Sequence, residues 1–138
     1  MMTFTYGVRW SISYRSMNRP MSAADAEQVF RARGQMAIAA YENEVPLGFI
    51  ELMGQVVNVT IFDQQQRPRF VVQMKELEPG RLFMRTARHR WYRPDTTEYT
   101  EVALMEERTL RPDGHVEIRR VDVDREQTWV SRTDGNDV

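Results

Sequence analysis

The chain has 138 residues, of which 41% are hydrophobic, 19 are basic and 20 are acidic, so its net charge is −1. This size and composition predict a single domain, residues 1–138, with one core. The balanced charge argues against a nucleic-acid-binding protein, which would carry a strongly basic surface. Cysteine is absent, so disulfides, thiolate metal sites and cysteine nucleophiles are excluded.

The sequence carries no export or membrane signal. No basic start is followed by an apolar run, and no stretch of 18 apolar residues occurs. We therefore expect a cytoplasmic protein without membrane contact. Of the 19 basic residues, 18 are arginine and only Lys75 is lysine, a bias that a GC-rich bacterial genome produces without functional selection. The alternative is that arginine serves bidentate or stacked contacts with a partner.

The first predicted element is a long strand from Thr3 to Met17. Aromatic and aliphatic side chains occupy every second position, which is the period of a β-strand: Phe4, Tyr6, Val8, Trp10, Ile12 and Tyr14. A strand of about 40 Å needs long partners in a curved sheet. We expect it to pair with a late strand and so complete the wrap of that sheet.

A helix is predicted to begin near Ala23. Ser22 and Asp25 form a variant of the capping box, in which a side chain at the helix start accepts a hydrogen bond from the backbone. Gly34 would be the C′ residue if the helix ended there.

Residues 35–42 fit two structures. Their alanines favour a helix that continues through Gly34, whereas Met36, Ile38 and Ala40 alternate as in a strand. We favour the helix and keep the strand as the alternative.

From Leu47 onward the pattern predicts antiparallel strands in meander order, joined by polar turns. The expected strands are Leu47 to Met53, a strand containing Val57 to Ile61, a strand containing Phe70 to Met74, and Arg81 to about Tyr92. The expected turns are the polar loop Asp63 to Pro68 and a type II turn at Glu78-Pro79-Gly80.

The last hairpin is the most sharply predicted local structure, because residues 112–114 (Pro-Asp-Gly) suit a type I turn closed by a glycine bulge. Pairing Leu110 with Val116 also places two acidic residues opposite two arginines: Glu107 opposite Arg119 and Glu106 opposite Arg120.

Beyond that turn, the apolar residues change from even-numbered to odd-numbered positions along the strand. This change predicts a β-bulge at Arg119-Arg120. The polar tail, Ser131 to Val138, is expected to be frayed and flexible.

These elements predict an α+β fold. It would comprise a long N-terminal strand, one helix and a six- to seven-stranded antiparallel meander that forms a strongly curved sheet or small barrel. The alternative is an all-β closed barrel with a short helix.

The densest group of polar and aromatic residues is the segment 85–94. Arg85 shares a strand face with Trp91 and could be carried inward to meet Glu51 or Glu101. The simpler interpretation is that the arginines of this segment face solvent and form ion pairs with glutamates of the next strand.

The sequence predicts no metal site, cofactor or catalytic group. The two histidines, His89 and His115, belong to no zinc-binding spacing, and neither a nucleophile elbow nor a phosphate-binding glycine loop is present.

The leading functional hypothesis is a non-enzymatic protein that holds an apolar or aromatic small molecule in a concave sheet or barrel. Its ligand-binding residues would be drawn mainly from the aromatic positions: Tyr6, Trp10, Tyr14, Phe70, Arg85, His89, Trp91 and Tyr99. Phe4 would also line the cavity.

Two other hypotheses remain. The chain could be an interaction or assembly module whose arginine-rich strand or sheet edge binds a protein partner or a second copy. The third is a small enzyme of unknown reaction, with His89, Glu101 or Asp122 as acid or base.

Overall fold

The computed structural model describes residues 1–133, which form ten strands and one helix. The strands are β1 (Met2–Ser11), β2 (Ser16–Met21), β3 (Met36–Glu42), β4 (Val45–Met53), β5 (Val56–Phe62), β6 (Pro68–Glu78), β7 (Arg81–Tyr92), β8 (Val102–Leu110), β9 (Val116–Asp122) and β10 (Gln127–Thr133). Helix α1 (Ala23–Arg31) lies between β2 and β3. No helix in this part of the chain is long and apolar enough to cross a membrane.

The ten strands form one antiparallel sheet, in the order β10-β9-β8-β7-β6-β5-β4-β3-β1-β2. The predicted α+β fold with six to seven strands is therefore wrong. The all-β alternative is close, but it required a closed barrel, and the two edge strands of the described sheet, β2 and β10, do not pair with each other.

The N-terminal segment is a hairpin rather than one long strand. β1 ends at Ser11, and the chain reverses at residues 12–15, where Arg15 adopts a left-handed φ of 52°. β1 pairs with β2 on one side and β3 on the other, so it does not pair with a late strand as predicted. Both arms of a hairpin alternate with period two, so the alternation alone does not reveal the turn.

Helix α1 begins at Ala23, as predicted, and Ser22 Oγ accepts a hydrogen bond from the Asp25 amide at 3.1 Å. At the other end the left-handed C′ residue is Arg33, with φ 55°. Gly34 is one residue further on, and its amide donates to the Val29 carbonyl at 2.9 Å. The prediction of Gly34 as C′ is therefore wrong by one position.

Residues 36–42 form strand β3, so the favoured helix is wrong and the alternative strand is confirmed. β3 lies between β1 and β4, and Met36, Ala37 and Ala39 are at most 2% exposed. Pairing on both sides outweighs the modest helix preference of alanine.

The hairpin from β8 to β9 is confirmed. Leu110 pairs with Val116, Gly114 has φ 92°, and both predicted charge pairs stand opposite each other. The bulge predicted at Arg119-Arg120 is absent, because the β8–β9 register is continuous.

The bulges lie elsewhere, at register shifts between β3 and β4, β5 and β6, β6 and β7, and β7 and β8. Bulges increase local twist and bend a sheet.

The predicted flexible tail begins at Ser131. Residues 131–133 belong to β10, and residues 134–138 lie outside the described residues.

The sheet curves so strongly that its N-terminal hairpin meets the loop between β7 and β8. Ser13 Oγ lies 3.4 Å from the Tyr99 hydroxyl, and Arg15 donates to the Thr97 carbonyl at 3.4 Å. Five strand spacings separate β1 from β7, which would amount to about 24 Å in a flat sheet. The hairpin therefore folds over one face of the sheet, which we call the inner face.

The buried core lies on the inner face. Trp10 is 4% exposed and stacks on Phe49, with 5.8 Å between the ring centroids. Phe62 and Tyr41 pack against the same indole at 5.9 and 6.3 Å. This cluster anchors the hairpin to β3, β4 and β5.

Candidate functional site

A row of polar side chains crosses the inner face. Glu51 of β4, Asn58 of β5, Gln73 of β6 and Thr86 of β7 are direct cross-strand neighbours. With about 4.8 Å between strands, the row spans about 14 Å. Strands β4–β7 thus bring together four polar groups that lie far apart in the sequence.

These residues form the floor of a groove of about 270 Å³, which we call the polar groove. It is lined by Ile12, Phe49, Glu51, Asn58, Thr60, Pro68, Val71, Gln73, Thr86, Arg88 and Arg90. Ile12 comes from the β1–β2 turn and the others from β4–β7. The groove therefore depends on the hairpin that folds over the sheet.

The polar groups of the floor are half-buried and unpaired. Within residues 1–133, no hydrogen bond engages the side chains of Glu51, Asn58, Gln73 or Thr86. Among the described residues, the fully buried side-chain atoms that lack a partner are Trp10 Nε1, His89 Nε2 and Arg93 Nε, so the polar atoms of the floor face the water of the open groove. The floor can therefore offer donors and acceptors to a bound molecule.

The two arginines of the groove differ. Arg88 is committed to Glu107 on β8, with 2.8 Å from Nε to Oε2. This pair agrees with the predicted cross-strand ion pairing. Arg90 interacts with the Tyr92 hydroxyl, and in the described part of the chain no carboxylate neutralises it. Arg90 therefore provides an available positive charge at the groove.

The carboxyl of Glu51 is the acidic group of the groove. Burial raises the pKa of Glu51 above its ordinary value, and the positive charge of Arg9 opposes this shift. The groove therefore holds its carboxylate at a cost in stability.

A buried arginine lies beside the groove and joins two loops. Arg67 is 7% exposed, and its guanidinium donates to Asp63 at 2.8 Å and to the Thr96 carbonyl at 2.9 Å. Its carbon Cζ lies 4.1 Å from the ring centre of Tyr92, whose hydroxyl donates to the Pro68 carbonyl. We call these five residues the Arg67 cluster. It ties the β5–β6 turn to the β7–β8 loop, which also receives the hairpin.

Four of the predicted ligand-binding residues lie on the opposite, outer face, and three of them are in contact. Phe70, His89 and Trp91 form an aromatic stack, with ring-centroid distances of 5.9 and 3.9 Å. Tyr6 lies on the same face near the other end of the sheet. Burial, aided by Arg69, lowers the pKa of His89, so its ring is neutral at pH 7.

The other four predicted residues are scattered. Trp10 is in the core, whereas Tyr14 is 85% exposed in the β1–β2 turn. Arg85 is exposed, as the extra residue where the β6–β7 register shifts, and Tyr99 lies in the loop that meets the hairpin. The structure therefore does not bring the eight predicted residues into one cavity.

The three acid–base candidates are also dispersed. His89 is on the outer face, Glu101 lies 3.7 Å from Arg93, and Asp122 lies 3.8 Å from Arg125. Among residues 1–133, no group of three histidine or acidic side chains could hold a metal ion.

A second depression, of about 490 Å³, lies on β8–β10 and is larger than the polar groove. It is bounded by the outermost strands, and its Arg120 is already paired with Glu106 at 2.7 Å. Its charges are therefore satisfied within the chain, unlike the polar groups of the groove.

In comparisons with protein-family models, curated proteins and solved structures, nothing matches this chain.

Replacement of the buried arginine tests the Arg67 cluster. Arg67→Met should lower the free energy of unfolding by about 3 kcal/mol, because Asp63 loses its cationic partner in a desolvated position. The measurement is urea denaturation followed by circular dichroism. Arg69→Met, at an exposed neighbouring position, is the matched control and should change stability by less than about 0.5 kcal/mol. Equal effects of the two substitutions would contradict this assignment.

Replacement of Glu51 tests the cost of its burial. Since the folded-state pKa is raised, the carboxyl holds its proton more tightly in the folded state. The stability that Glu51 contributes by holding this proton is present at low pH. It is lost as the pH rises above 4.5, the ordinary pKa of the carboxyl. Glu51→Gln, which cannot ionise, should therefore be more stable than the wild type at pH 7.

The difference should shrink as the pH falls below 4.5, as measured by denaturation across a pH series. Glu44→Gln, in the exposed β3–β4 turn, is the control and should not reproduce the pH-dependent gain. A stability difference that stays constant with pH would argue against a buried carboxyl.

Proposed function

We propose that the protein is a non-enzymatic binding protein for a small polar molecule, which it holds in the polar groove. The observation that carries this proposal is the row of unpaired, half-buried polar side chains on the groove floor. Polar groups that face the water of a groove can exchange that water for the donors and acceptors of a ligand. A row of four without partners, in a concave site, is typical of a ligand-binding surface.

The groove chemistry narrows the ligand class. Arg90 would bind an anionic group, such as a carboxylate, and Glu51 would accept hydrogen bonds from hydroxyl or amine donors. Asn58 and Gln73 can both donate and accept. The ligand would therefore combine one anionic group with several donors.

The volume sets the ligand size. A groove of 270 Å³ has room for about nine waters, which corresponds to a molecule of about ten non-hydrogen atoms. Phe49 and Val71 would contact its carbon skeleton. This proposal keeps the binding role suggested by the sequence and replaces the apolar ligand with a polar one, because the lining is polar.

A binding role is favoured over an enzymatic one by the composition of the groove. Its lining includes one carboxyl, no histidine and no activated nucleophile. Acid–base catalysis normally requires a proton donor and acceptor that both reach the reacting atoms.

The direct test is titration of the protein with a panel of α-amino acids and small hydroxy acids, followed by NMR of the side-chain amide groups. We expect at least one compound to shift the NH₂ signals of Asn58 and Gln73. Asn58→Leu and Gln73→Leu should each weaken that binding by at least about tenfold, the equivalent of one lost hydrogen bond to a buried group.

Gln127→Leu is the matched control, since it removes the same amide from an exposed site on β10, and binding should be unchanged. The proposal fails if no compound of the panel shifts the two amides. It also fails if the groove variants bind as well as the wild type.

A further inference from the structure

The outer face carries an extensive apolar surface. Phe4, Ile61 and Phe70 occupy one cross-strand row, and Ile50 and Val59 lie in the next. In the central strands β3–β6, these two rows contain no charged side chain. We call this surface, from β1 to β6, the apolar face.

The apolar face is open to solvent in the single chain. Phe4 is 53% exposed, Ile61 49%, Leu47 41% and Ile50 37%. A monomeric soluble protein rarely exposes a contiguous apolar patch larger than a few hundred Å². An exposed apolar surface of this kind is typical of an interface.

The accessible surface of the whole chain is larger than that expected of a folded monomer of the same mass. The chain exposes 9573 Å², whereas a folded monomer of 16.3 kDa is expected to expose about 7,500 Å². Residues 134–138 can account for at most about 800 Å² of the excess. About 1,300 Å² of excess remains over the chain as a whole, to which the fully exposed strand β10 also contributes. This excess is more than the roughly 800 Å² that each partner contributes to a standard interface.

We propose that a second copy of this chain packs its apolar face against the first, so that the two sheets form a symmetric sandwich. The same surface on both copies is self-complementary under a twofold axis, which is the commonest arrangement of homodimers. Because the outer face is the convex side of the curved sheet, the two copies would meet along their central strands β4 and β5, which carry Ile50 and Ile61.

The flanking residues fit this arrangement. On the outer face, β8 and β9 carry charged side chains, including Glu106, Arg108 and Arg120. These ion-paired residues would form one side of a polar rim around an apolar centre, as in most protein interfaces. The polar groove lies on the inner face, so the dimer and the proposed ligand site are independent.

The test is the oligomeric state, measured by sedimentation equilibrium. The wild type should sediment with twice the chain mass of 16.3 kDa at micromolar concentration. Ile50→Glu should raise the dimer dissociation constant by at least about 100-fold, because the carboxylate enters the desolvated centre of the interface on both copies. Ile61→Glu, at a more exposed position, is a second variant should Ile50→Glu not fold.

Val130→Glu is the matched control. Val130 is 49% exposed, as Ile61 is, but it lies on β10 in the row of Arg119, on the inner face. This variant should remain dimeric. A wild type that is still monomeric at about 100 μM would overturn the proposal. So would folded apolar-face variants that dimerise normally, since that outcome would place the interface elsewhere.

Discussion

The contact between the β1–β2 turn and the β7–β8 loop is the constraint on which the rest of the structure depends. Ser13 and Arg15 reach Tyr99 and Thr97 across five strand spacings, which requires a strongly curved sheet. The loop in turn is held by Arg67, buried beneath it. This arrangement encloses the inner face beneath the hairpin and leaves Phe4, Ile50 and Ile61 of the outer face exposed.

The two faces differ in chemistry as they differ in shape. The inner face has an aromatic core around Trp10 beside a polar floor, and the floor keeps Glu51 in a position where burial raises its pKa. The outer face of β4 and β5 is apolar and carries the exposed side chains of Ile50 and Ile61. Groups that reduce stability in the single chain are typical of binding surfaces. Both faces therefore have features that folding of one chain does not explain.

The sequence predicts the local structure better than the assembly of the strands. The β8–β9 hairpin is predicted to its register, because a Pro-Asp-Gly turn and two charge pairs specify it locally. Residues 36–42 are wrongly predicted because their neighbours, β1 and β4, decide their structure. The polar row depends on the registers of four strands, so the sequence alone does not identify Asn58, Gln73 and Thr86 as site residues.

The most direct test of this account is the distance between the N-terminal hairpin and the β7–β8 loop. The chain lacks cysteine, so Tyr14→Cys and Glu98→Cys allow two spin labels to be attached at exposed positions. Double electron–electron resonance is measured on labelled protein diluted into unlabelled protein. The distance between the two labels should have a narrow distribution well below the roughly 24 Å of a flat sheet. A distribution centred at or beyond that distance would contradict the curved sheet and, with it, the polar groove.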